Sequence, residues 1–157
     1  MKHRAIFLTA LVAGLTMLAP AAFSAGSSSR SPRPAPVSNY SRAVKAVKAG
    51  DYRTAASLLE RVVARDSRNA DAYNYLGFSY RKLGKLDAAL EQYHKALGID
   101  PKHKGAHEYI GETYLQMDQL AKAKEHLARL DDICWLGCEE FSDLKAAVEK
   151  FEAKKRG

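Results

Sequence analysis

Between Ala70 and Pro101 the large apolar side chains fall three and four residues apart. Leu76 and Tyr80 form one such series, and Leu90, Tyr93 and Leu97 form a second, which is the stripe of two amphipathic helices. Gly77 stands inside the first, where glycine costs a helix about 1 kcal/mol relative to alanine. A shift of thirty-four residues superposes this stretch on its neighbours. Gly77 then falls on Ala43 and Gly111, Leu76 on Arg42 and Ile110, and Tyr80 on Ala46 and Tyr114. In the second half of the unit Ala89 falls on Ala55 and Ala123, Tyr93 on Leu59 and Leu127, and Ala96 on Val62 and Leu130. The halves are joined by AGDY (49–52), LGKL (83–86) and MDQL (117–120), with Gly50, Gly84 and Asp118 at one offset. Each unit is therefore expected to be a helix, a tight turn and a second helix.

The small residues have a physical use. With Gly77 facing the partner helix and Ala89 facing back, the two backbones approach closely, and the added contact offsets the propensity cost. Asp100-Pro101 ends the unit, because proline disfavours a helical conformation in the residue before it. Tyr73, Leu76, Gly77, Tyr80, Ala89, Tyr93, Ala96 and Pro101 together carry the signature of the tetratricopeptide repeat, which the chain resembles from about residue 36 to 137. The resemblance implies an all-α helical solenoid of three repeats, 37–69, 70–103 and 104–137. The third keeps Ile110, Gly111, Tyr114, Ala123 and Leu127, but has His107 at an aromatic position and Trp135 at a proline position. The first carries Asn39 and Arg42 at apolar positions, a polar edge suited to an end repeat. Beyond them, residues 138–157 place Phe141, Leu144, Val148 and Phe151 on one face. That stripe is expected to form a C-terminal capping helix; the first helix of a fourth, degenerate repeat would look much the same.

In this family the first helices line a concave face that binds a peptide or helix of another protein. The resemblance places Tyr40, Val44 and Val47, then Asn74, Phe78 and Arg81, then Glu108, Glu112 and Leu115 on that face. Some family members clamp a terminal carboxylate with Lys, Arg and Asn. Here the third unit supplies Glu108 and Glu112 instead, which favours a partner with an apolar segment flanked by basic charge.

The start of the chain has a different character. Lys2 and Arg4 precede an apolar run from Ala5 to Leu18, then Pro20 and small residues, the layout of a secretory signal peptide over 1–25. Ala22 with Ser24, or Ala19 with Ala21, would suit the peptidase, whereas cleavage after Ala25 would present Phe23; the choice stays open. The run is shorter than the ~20 apolar residues that span a bilayer, so no stable membrane insertion is expected after cleavage. Residues 26–36 form a linker rich in Ser, Pro and Arg. The net charge of +7 originates in these regions and the first helix, since all 18 acidic residues lie beyond residue 50, balanced there by as many basic ones. Nucleic-acid binding, which needs a basic face on the folded domain, is not expected. An exported location, a bacterial periplasm, is.

Cys134 and Cys138 are the two cysteines. In an oxidising compartment such neighbours pair, with Gly137 supplying a turn between them, and the bond would fix the angle between the last repeat and the cap. An alternative reading gathers His103, His107, Cys134 and Cys138 into a soft metal site, or makes the cysteines a thiol-handling pair. His94 and His126 read as surface or partly buried side chains. No phosphate loop, nucleophile triad or carboxylate pair set in a cleft is recognisable, so neither catalysis nor a cofactor is expected.

Overall fold

The computed structural model describes residues 38–157, which contain seven helices and no strand. The expected signal peptide and linker lie outside the described residues. The helices are α1 (Asn39–Lys48), α2 (Tyr52–Arg65), α3 (Ala70–Lys82), α4 (Leu86–Ile99), α5 (Lys104–Gln116), α6 (Leu120–Ile133) and α7 (Glu139–Arg156). They form three antiparallel pairs followed by the longer α7.

Local chemistry sets the boundaries. Ser38, Asn69 and His103 accept a hydrogen bond from a backbone N–H in the first turn of α1, α3 and α5, which relieves one of the amides that a helix start leaves unpaired. The turn inside each pair needs one left-handed residue, supplied by Gly50 and Gly84 at φ 75° and by Asp118 at φ 61°. Aspartate tolerates that region better than most side chains, and the Asp118 carboxylate is held at 2.8 Å by Lys155 of α7. Asp100 is extended, at φ −127° and ψ 96°, and ends α4 ahead of Pro101.

Packing gives the stack its curvature. Successive first helices touch, α1 with α3 and α3 with α5, whereas among α2, α4 and α6 successive members do not. The stack is tighter on the side of the first helices, so those line its concave face. Gly77 makes the close approach its sequence implies: a methyl group added there would lie 2.6 Å from the buried Tyr93 ring and 3.0 Å from the Ala89 carbonyl oxygen. Ser79 and Thr113, both fully buried and one repeat apart, return their hydroxyls to the carbonyls of Tyr75 and Tyr109, which satisfies them inside the helix.

α7 caps the third repeat in a register of its own. Of the two helices of the preceding pair, α3 rests more on α2 than on α1 and α5 more on α4 than on α3, but α7 rests more on α5 than on α6. It therefore leans toward the concave side and departs from the placement of a further repeat's first helix. Leu144 and Val148 are buried against Leu115, Ala123 and Leu130, with Phe141 and Phe151 packed beside them. Glu139 and Glu140 open the helix and Lys154, Lys155 and Arg156 close it, an arrangement that complements the helix dipole.

Candidate functional site

Side chains four and seven residues apart on α1, α3 and α5 share the concave side, and adjacent repeats bring their aromatic and charged groups together. Phe78 of α3 is the centre. Its ring lies 4.9 Å from Tyr109 of α5 and 5.9 Å from Tyr52 at the start of α2, while Tyr40 meets Tyr75 edge-on at 6.2 Å. The Arg81 guanidinium stacks against both Phe78 and Tyr109, 5.3 Å from each ring centre. Its Nη2 donates to Glu112 of the next repeat at 2.7 Å, and the arginine side chain is only 5% exposed. The ion pair and two stacked faces thus tie α3 to α5 and leave half-buried aromatic surface facing the groove.

The acidic end of the groove lies beyond that pair. Glu108 is 8% exposed and, among the described residues, makes no hydrogen bond or ion pair. Burial, reinforced by Glu112, Asp143 and Glu140, pushes its carboxyl up to about 8, because a desolvated carboxylate beside like charges is costly to ionise. Tyr109 is raised to about 12, first by burial and then by Glu108 and Glu112.

The nine residues expected on this face divide. Tyr40, Val44, Val47, Phe78 and Glu112 are half-buried, with Tyr40 and Val47 packed on the N-terminal core. Asn74, Arg81 and Glu108 are buried, and the Oδ1 of Asn74 and Nε of Arg81 have no partner among the described residues. Leu115 requires correction: it lies in the core beneath α7, beside Leu144 and Val148, and not in open groove. Tyr75, Tyr109, Glu140 and Asp143 belong to the site without having been singled out from the sequence. The tyrosines stand one place beyond the inward positions Asn74 and Glu108, and the acids lie on a helix whose placement the sequence left open.

The proposed cluster of two histidines and two cysteines does not assemble. His103 caps α5 through Nδ1 at 3.2 Å, so its Nε2–H is the donor to Asp71 at 3.1 Å. Nε2–H of His107 donates to the Pro101 carbonyl at 3.0 Å, and its Nδ1 accepts from Nδ1–H of His126 at 3.0 Å. Among the described residues no three His, Cys, Asp or Glu side chains are grouped to hold a metal ion. Cys134 and Cys138 instead face each other, Cα atoms 5.6 Å apart, across a turn in which Gly137 takes φ 86°. The same turn leaves Trp135 83% and Leu136 79% exposed. None of the described helices is long and apolar enough to cross a membrane.

Two family models described as tetratricopeptide repeat match the chain, one over residues 40–104 and one over 80–133. No curated protein matches it in sequence. Among solved structures it is similar to the Yersinia enterocolitica type III secretion chaperone SycD in complex with a peptide of the translocator YopD. That likeness has 22% identity and a TM-score of 0.65 over 74% of this chain and 92% of the other. PcrH in complex with the chaperone binding region of PopD is similar at 19% identity and TM-score 0.67, over 74% and 90%. The second repeat domain of human RPAP3, with the HSP70 peptide SGPTIEEVD, is similar at 21% identity and TM-score 0.65, over 73% and 92%. At these identities the likeness concerns the fold.

Proposed function

Because the chain belongs to the tetratricopeptide-repeat family, we propose that it is a non-catalytic interaction module whose concave face holds a segment of a partner protein. The observation that carries this reading is the Phe78–Tyr109 platform, braced by Arg81 and Glu112, which keeps half-buried aromatic surface at the middle of the groove. Aromatic side chains fixed by packing make good anchoring surfaces, since little conformational entropy is lost when a ligand covers them. SycD, PcrH and RPAP3 are each described with a partner peptide or region bound, which supports the same use here. The occupant differs from that of RPAP3, whose peptide ends in Glu-Glu-Val-Asp. Glu108 and Glu112 would repel such a tail, and an apolar segment flanked by basic residues suits this groove.

The leader-like start of the chain supports action after export, in a bacterial periplasm, in the assembly or maturation of envelope proteins. There Cys134 and Cys138 form a structural disulfide that holds the turn between the third repeat and α7. A photo-crosslinking residue at Tyr109, compared with one at Lys95 on the exposed side of α4, tests the groove. The expected result is a discrete cross-linked partner from Tyr109 alone. Equal capture at both positions, or a partner that survives Phe78→Ala with Glu112→Ala undiminished, would remove the reading.

A further inference from the structure

We propose that the acidic end of the groove, where Glu108 and Glu112 of α5 face Glu140 and Asp143 of α7, is a subsite for one lysine or arginine side chain of the partner segment. The inference rests on the groove reading above and gives it a charge requirement. Glu112, Glu140 and Asp143 all lie within electrostatic reach of Glu108, as does one cation, Arg81. Arg81 is already committed to Glu112 at 2.7 Å and to the faces of Phe78 and Tyr109. Glu108 is the unused group. It is more than nine-tenths buried, has no hydrogen bond or ion pair among the described residues, and lies one helical turn before Glu112 on the concave side of α5. Burial of most of the side chain makes its ionised form costly, and a cation supplied from outside is the ligand that relieves the cost. α7 makes this arrangement possible, because its lean toward α5 brings Glu140 and Asp143 within electrostatic reach of Glu108.

Seating a cation has a proton consequence. Glu112 on its own helix, Glu140 and Asp143 on α7, Arg81 on α3 and the neighbouring Tyr109 hydroxyl are the titratable and charged groups facing Glu108. With its carboxyl raised to about 8, Glu108 holds its proton at neutral pH, and an incoming ammonium or guanidinium favours the ionised form and releases that proton. Affinity for a basic peptide therefore rises with pH up to about 8.

The probe is a set of blocked dodecapeptides rich in leucine and serine, identical except for a central arginine, lysine, citrulline or glutamate. Binding to the full chain is read by fluorescence anisotropy at pH 6, 7 and 8. The arginine and lysine peptides are expected to bind on the order of 10-fold more tightly than the citrulline peptide at pH 8, with the ratio shrinking toward pH 6. Glu108→Gln, of nearly the same shape, should remove the pH dependence and most of the preference. Calorimetry in buffers of different ionisation heat should detect proton release for the original chain and none for Glu108→Gln. Equal binding of arginine and citrulline peptides at pH 8, or a preference that Glu108→Gln leaves intact, overturns the subsite while the groove reading stands. Failure of every peptide to bind, whatever its charge, overturns both.

Discussion

At Gly77 an added methyl group would strike the Tyr93 ring and the Ala89 carbonyl, both on α4, the helix that pairs with α3 inside the second repeat. At Gly111, one repeat later, it would strike the Leu144 side chain at 2.5 Å, and Leu144 belongs to α7. The difference traces to a single aligned position, where the second repeat has Tyr93 and the third has Leu127. Tyrosine is long enough to lie over its own repeat's glycine, and leucine is not. The space over Gly111 is filled from outside, by a fully buried residue of the cap. The second repeat is thus closed by its own two helices, whereas the third is completed only when α7 docks.

Removal of that plug should give the largest effect. Leu144→Ala leaves a cavity above Gly111, and such truncations of buried leucine cost about 2–5 kcal/mol. Hydrogen exchange should show α5, α6 and α7 losing protection while α3 and α4 retain most of theirs, since stacked repeats are coupled mainly to their neighbours. Equal loss in both repeats would mean that the second is not self-contained, and the contrast would fail.

Gly77→Ala comes next. The new methyl meets a fully buried ring and a backbone carbonyl that cannot turn aside, so overpacking of about 1–3 kcal/mol outweighs the gain of up to ~1 kcal/mol in helix propensity. Gly111→Ala should cost less, because the atoms it meets are mostly the ends of the Leu144 side chain. The decisive measurement is a double-mutant cycle. In Gly111→Ala with Leu144→Ala, the added methyl enters space the leucine has left, so the pair should be less destabilised than the sum of its parts by about 0.5 kcal/mol or more. Strict additivity in thermal or urea unfolding would show that the two residues do not compete for one volume.

The contrast also separates what the sequence discloses from what it withholds. The three helix pairs are legible because they rest on local chemistry repeated at a fixed interval: Gly50, Gly84 and Asp118 in the left-handed turns, Gly77 opposite Ala89, and Asp100 before Pro101. The placement of α7 is not, because Phe141, Leu144, Val148 and Phe151 suit a cap as well as another repeat, and only the volume left by Leu127 distinguishes them. Leu115 was misplaced for that reason, since its burial depends on α7. The Arg81–Glu112 pair was half visible, as opposite charges at inward positions of adjacent repeats. The surroundings of Glu108 are hidden, because Glu140 and Asp143 reach it only once α7 is in place.

The smallest effect concerns pH, and it again sets the third repeat against the second. Where the second repeat has Tyr73 and Gln92, the third has His107 and His126, with the ring nitrogens bonded at 3.0 Å. Burial lowers both imidazoles, His126 to about 4 with further contributions from His107, His94 and Arg129. A histidine lowered in the folded state binds its proton more readily in the unfolded chain, so its contribution is complete above the ordinary value near 6.5 and is lost as pH falls toward 4. Glu108 acts in the opposite sense: its raised carboxyl favours the folded state at low pH, and that contribution declines from about 4.5 to 8. The histidine effect must therefore be read as a difference between chains that both retain Glu108. His107→Tyr with His126→Gln gives the third repeat the residues of the second, and it should spare the chain about 2–5 °C of melting temperature at pH 5 relative to pH 7. If the original and the substituted chains melt in parallel across that range, the imidazole pair is not what makes the third repeat sensitive to acid.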